Sequence, residues 1–111
     1  MGSIRMKVYI AAPYTKGDVA LNVRAVIDAA EELVKLGHNP FIPHLTHFWH
    51  MIYPHPVDFW YEQDLVWLKC CDAMLRLPGE SVGADREVEY ARQEGIPVYY
   101  NLADIGAGTM A

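Results

Sequence analysis

Cysteine is almost absent from this chain, and the two it has, Cys70 and Cys71, are neighbours. Adjacent cysteines are poorly placed to bridge each other, so no disulfide framework is expected and a reducing, cytoplasmic setting is. Basic residues are also scarce: nine Lys and Arg face fourteen Asp and Glu, a net charge of −5. A protein that grips a nucleic acid polymer needs a basic stripe against the phosphates, and this balance argues against one. A few local donors still suffice for a single nucleoside or nucleotide. Long hydrophobic runs are missing too. Each apolar stretch is short and broken by Pro or charge, so neither a signal peptide nor a membrane contact is expected. There is no internal repeat, no P-loop and no HExxH or Cys-His zinc spacing.

What is present suits one globular domain: 111 residues, 52% of them hydrophobic, enough for a single core. Residues 1–6 read as a leader ahead of the fold, 7–101 as the domain, and 102–111 as a Gly/Ala-rich tail. Lys7–Ala11 is a short apolar run that predicts a buried strand, ending in Ala12-Pro13. Asp18 is a good N-cap for a helix whose apolar residues recur at helical spacing to Leu36, and Gly37 sits where a C-cap glycine belongs. Asn39–Ile42 predicts a second strand. Pro56 opens a second helix running to about Cys70. Ala73–Leu77 predicts a third strand, Gly83–Glu94 a third helix and Ile96–Tyr100 a fourth strand. This alternation predicts an α/β fold. We expect a Rossmann-like or flavodoxin-like parallel sheet of four to five strands, order 2-1-3-4, with helices on both faces.

In such a sheet, ligands bind beyond the carboxyl ends of the strands, where the strand order reverses. That point lies between strands one and three. It brings the loop Ala12, Pro13, Tyr14, Thr15, Lys16 opposite the third helix, where one acid stands out. Ala84, Glu87, Val88 and Ala91 share a helix face, so Glu87 points with small residues toward whatever the helix packs on. An unpaired buried carboxylate is costly, and Glu87 is therefore the candidate nucleophile, which a place in the first turns of a helix would keep ionised. On the second helix Asp64 falls in an apolar arc, between Trp60 and Leu68. Two acids flanking a crevice suit glycosidic chemistry, where one attacks the anomeric carbon and another group handles the leaving group's proton. Alternatively Asp64 is a structural acid that caps a loop or pairs with an Arg. Tyr9 is placed to orient the Glu87 carboxylate, or else packs in the core.

These residues carry a family resemblance that spans nearly all of Lys7–Tyr100. It rests on Val8-Tyr9-Ile10, Glu62-Gln63-Asp64-Leu65, Cys71-Asp72-Ala73 and, most specifically, Ser81-x-Gly83-x-x-x-Glu87-x-x-x-Ala91. The chain resembles the nucleoside 2-deoxyribosyltransferase superfamily, which includes the 2′-deoxynucleoside 5′-monophosphate N-glycosidases. The resemblance implies that Glu87 forms a covalent glycosyl-enzyme, that Tyr9 orients it, and that Asp64 is the acidic partner at the substrate. It implies that Ser81 and Gly83 meet the sugar or its 5′ end, and that Asp72 belongs to the substrate-binding set, although an acid there can instead cap the preceding helix. Ser81 stands where deoxyribosyltransferases commonly carry Asp, as in the monophosphate glycosidases, and favours a 5′-phosphate. Thr15 and Lys16 are candidates for further phosphate contacts. Asp85 and Glu89 occupy positions commonly Gly in the family, and their charge is expected to raise the pKa of Glu87 and narrow the pocket.

The remaining feature is the His-, Pro- and aromatic-rich segment from Pro43 to Pro56, long for a plain loop and suited to a lid or binding wall. His44, His47 and His50 are three apart, but a metal site needs convergence that spacing does not supply, and no metal or cofactor is expected. His44 is expected to line the crevice, and Trp60 to stack on a base. The apolar character of this segment predicts a homodimer or higher homo-oligomer. The expected partners are a nucleoside or nucleotide and a free nucleobase. The expected activity is cleavage or transfer at the N-glycosidic bond; the alternative from another class is a non-catalytic nucleotide-binding module.

Overall fold

The computed structural model describes residues 3–109. Its elements are β1 (Ser3–Ile4), β2 (Lys7–Ala11), α1 (Val19–Lys35), β3 (Asn39–Phe41), α2 (His47–Ile52), α3 (Val57–Leu68), β4 (Ala73–Arg76), α4 (Val82–Gln93), β5 (Val98–Tyr99) and β6 (Gly108–Thr109). The main sheet has the order β3-β2-β4-β5 and all its pairings are parallel. Counting only these four strands, that is the expected order 2-1-3-4.

Pleating divides the central strand between two cores, because successive side chains leave opposite faces of a strand. Val8 and Ile10 join Val26, Ala29, Ala30 and Leu33 of α1 on one side. Tyr9 and Ala11 join Leu68 of α3 and Ala84, Val88 and Ala91 of α4 on the other. Helices therefore cover both faces, and the pleat sends Tyr9 toward α4. The caps are those the residue types favour. Asp18 accepts from the Leu21 amide (3.1 Å) to start α1, and Ser81 accepts from the Ala84 amide (3.0 Å) to start α4.

Two segments differ from expectation. Pro43–Pro56 is not a loop: a 3-10 turn over Pro43–Thr46 runs into α2, which packs beside the start of α3 through Trp49 against Trp60 and Phe59. The segments expected as leader and tail enter the fold as well. β1 and β6 pair in parallel, and Ile105 lies 4% exposed in the α1 core. The link is His38, whose Nδ1 accepts from the Met6 amide (3.1 Å) and whose Nε2 donates to the Gly106 carbonyl (2.5 Å). Residues 1, 2, 110 and 111 of the expected leader and tail lie outside the described residues.

Gly37 makes this return possible. Its φ of +92° continues the chain out of α1, and a Cβ there would run into the backbone carbonyl of Gly108. We expect Gly37→Ala to destabilise the fold by about 1–3 kcal/mol from the left-handed backbone alone, before any clash. Urea unfolding followed by circular dichroism measures this, and an unchanged midpoint would contradict the packing described.

Candidate active site

A cavity of about 710 Å³ opens at the carboxyl ends of β2 and β4, walled by the loop after β2, by α2 and α3, and by the start of α4. Its position follows from topology, since the loops after β2 and β4 diverge where the strand order reverses. Ala12, Thr15, Lys16, His44, Trp60, Asp64, Ser81, Gly83 and Glu87, all expected at the site, line it.

Glu87 sits 7% exposed on the inner face of α4, and the Tyr9 hydroxyl donates to its Oε2. Burial raises its pKa to about 7, opposed by the Tyr9 hydrogen bond and by the Arg76 cation. The dipole of α4 does not offset burial, because Glu87 stands in the second turn and the effect fades beyond the first. Asp64 faces the same cavity from α3. Burial and the nearby Glu87 charge raise its carboxyl to about 8. Tyr9 stays protonated, held well above its ordinary value by burial and by Glu87. Burial thus pushes both carboxyls up, and the hydrogen-bond donor and the cation that favour a charged form lie at Glu87.

Ser81 combines two jobs. Its oxygen caps α4, which leaves the hydroxyl hydrogen free to donate into the cavity that it lines. The histidines are engaged separately. His44 is buried, with Nε2 donating to the Pro13 carbonyl (2.8 Å), and burial lowers its pKa. His47 Nδ1 is hydrogen-bonded to the Tyr14 hydroxyl. His50 Nδ1 accepts from the Trp60 indole (2.8 Å) and the His55 amide (3.2 Å). Among the described residues no three His, Cys, Asp or Glu side chains gather as metal ligands.

Residues 6–101 match a family described as a domain of unknown function, DUF7768. The chain belongs to the DUF7768 family. No curated protein matches it. Among solved structures it is similar to a 2-deoxyribosyltransferase from the psychrotolerant bacterium Bacillus psychrosaccharolyticus, characterised as a biocatalyst for nucleoside synthesis. The identity is 24%, the TM-score 0.63, and the match covers 83% of this chain and 69% of that one. This DUF7768 domain therefore has the deoxyribosyltransferase fold, as its motifs imply.

Two expected site assignments change. Asp72 lies at the opposite, amino end of the sheet, where its Oδ2 accepts from the Lys7 amide (2.8 Å) and fixes the start of β2. Pro13 lines a separate recess of about 360 Å³ with Asn22, Leu77 and Pro78, and reaches the site only through its carbonyl on His44. Lys16 is paired with Glu80 at 2.9 Å across the rim; both are well exposed, so the pair contributes little stability. The two acids expected to perturb Glu87 are held by other partners. Asp85 is bound to Arg76 (3.1 Å), and Glu89 is exposed beside Gln93.

Sequence reasoning missed Arg76, Tyr61 and Arg86. Arg76 was the legible one, as a cation in a buried strand that needs a partner. The Arg86 guanidinium lies 3.9 Å over the Tyr61 ring, a cation–π contact on the cavity wall. Nothing in the spacing of these two residues marks it.

The two raised carboxyls make stability depend on pH. Folded Asp64 and Glu87 bind protons more tightly than their ordinary values of 3.8 and 4.5 allow. Their contribution is fully present below about pH 4 and is lost as pH rises through the folded values. Asp64→Asn should therefore raise the urea midpoint over wild type at pH 8 and give little or no gain at pH 4. Equal shifts at both pH values would contradict the raised carboxyl.

Proposed function

We propose that this domain cleaves or transfers at the N-glycosidic bond of 2′-deoxynucleosides or their 5′-monophosphates through a covalent intermediate on Glu87. The observation that carries the reading is the buried Glu87, held by the Tyr9 hydroxyl, sharing one cavity with the more weakly acidic Asp64. The fold similarity to a 2-deoxyribosyltransferase supports it.

The Glu87 carboxylate attacks C1′ through an oxocarbenium-like transition state. The C1′–O bond to Glu87 forms as the C1′–N bond breaks. The electron pair leaves with the base nitrogen, which takes the proton of Asp64. The ester is then opened at C1′ by the nitrogen of a second base (transfer) or by water (hydrolysis). The attacking group gives its proton back to Asp64, and Glu87 is released as carboxylate. Tyr9 stays protonated and orients Glu87 throughout, while Ser81 donates to the 5′ hydroxyl or phosphate. His44 and Trp60 form the wall against which the base and sugar pack.

The exterior supports a homodimer or higher homo-oligomer. Phe48, Met51, Ile52, Tyr53 and Val57 stand 60–79% exposed along α2 and the start of α3, an apolar face of the kind that marks contact surfaces. Among the described residues no helix is long and apolar enough to cross a membrane, and we place the protein in the cytoplasm.

The test mixes the protein with a deoxynucleoside or its monophosphate and a different free base, and separates products by chromatography. A swapped nucleoside identifies a transferase, and free sugar or sugar phosphate alone identifies a hydrolase. Thermal stabilisation by nucleotides without turnover would replace this reading with a binding module. Glu87→Ala should lose at least ~10³-fold in kcat, and Asp64→Asn about 10²–10⁴-fold. Because Glu87 must be ionised and Asp64 protonated, kcat/KM should peak narrowly between pH 7 and 8. A broad plateau above pH 9 would remove Asp64 from the role of acid.

A further inference from the structure

Among the described residues Arg76 is the one Lys or Arg buried in the sheet, at the carboxyl end of β4, and its side chain is only 9% exposed. Its guanidinium donates to the Leu77 carbonyl, to the Gly79 carbonyl (2.9 Å) and to Asp85 Oδ1 (3.1 Å). The first two contacts fix the turn between β4 and Ser81, and the third fixes the first turn of α4. Gly79 has φ of +118° there, and a Cβ would come within 2.8 Å of the Pro13 ring, so this turn is also set against the loop after β2. One planar group thereby holds the junction from which Ser81 and Glu87 both project.

We propose that Arg76 is a positioning residue for Glu87, its buried guanidinium fixing the turn into α4 through the Leu77 and Gly79 carbonyls and Asp85 and placing a positive charge at the start of that helix. The inference rests on the reading of Glu87 as nucleophile. The groups facing Glu87 are Tyr9 from β2, Asp64 from α3 and Arg76 from β4, with Asp85 and Arg86 beside it on α4. Asp85 does not cancel the cation at Glu87, because the Asp85 side chain is 73% exposed while that of Arg76 is not. Water screens an exposed charge, whereas a buried one acts through a medium of lower dielectric. Asp85 instead trims the field of Arg76 and completes its hydrogen bonds. The two partners therefore act on Glu87 in opposite directions.

The test is a ¹³C NMR titration of the Glu87 carboxyl in Glu-labelled protein, the resonance being assigned with Glu87→Gln. It needs no substrate and so stands apart from the success of the enzymatic reading. Arg76→Met should move the titration to higher pH and Asp85→Asn to lower pH, while Arg76→Lys, which keeps the charge, should stay near wild type. If Arg76→Met does not fold, the Asp85→Asn and Arg76→Lys pair still decides the matter. Where the protein turns over nucleosides, the acid limb of kcat/KM should follow the same directions. Arg76→Met should then fall about 3- to 10-fold below wild type at pH 6. Overturning results are an unmoved Glu87 titration in Asp85→Asn, or displacement of both Arg76→Met and Asp85→Asn in the same direction. The second is what simple distortion of the turn would give.

Discussion

A carboxylate removed from water needs donors or cations to replace its hydration, and the site is arranged around that requirement at Glu87. The Tyr9 hydroxyl comes from the central strand and the Arg76 charge from its neighbour. Both depend on strand register, because β2 and β4 pair Tyr9 with Met74 and Ala11 with Arg76. A slip of one residue would turn Tyr9 into the α1 core and leave Glu87 without its donor. The sheet order brings the same strands to the point where their loops diverge. Cavity and compensation thus arise from one topological fact.

The α1 boundaries and the inward face of α4 were legible because each rests on a short-range rule, and the strand order because strand and helix alternate as in a doubly wound parallel sheet. Apolar alternation, caps and helical spacing are written within a few residues, and Glu87 among Ala84, Val88 and Ala91 is such a pattern. What could not be read was pairing at long range. Asp72 looked like a site residue because it sits in a motif, yet its contact is with Lys7, 65 residues away. Asp85 looked like a neighbour that would disturb Glu87, and only the fold shows that Arg76 occupies it. His38 gave no signal at all. Its two hydrogen bonds reach back to Met6 and forward to Gly106, and together they draw in a segment whose composition looked like a tail.

The second helix was legible in a different and incomplete way. Its apolar residues spread around the circumference, which in a large protein indicates a buried helix. Here α3 buries only Leu68 fully, while Val57, Val66 and Trp67 stand exposed. An all-round apolar helix on the outside of a small domain has the composition of an interior element without an interior to enter. The mismatch follows from size: a domain of this length has too little volume to surround every apolar helix. The contiguous apolar face of α2 and α3 is what that shortage leaves, and it is also the outer side of the cavity wall.

The division of labour between the two acids also follows from neighbours rather than from residue type. Glu87 is the more buried of the pair, and burial alone would make it the weaker acid. Tyr9 and Arg76 oppose that by favouring its charged form, and Asp64 has no comparable partner among the described residues. Once Glu87 carries the charge, Coulomb repulsion holds the proton on Asp64. The order of ionisation therefore requires only one favoured partner, and the second acid takes its role from the first. On the proposed mechanism that order is the chemistry, since the group that must attack is the one supplied with a donor and a cation. The group that must donate is left to the apolar wall.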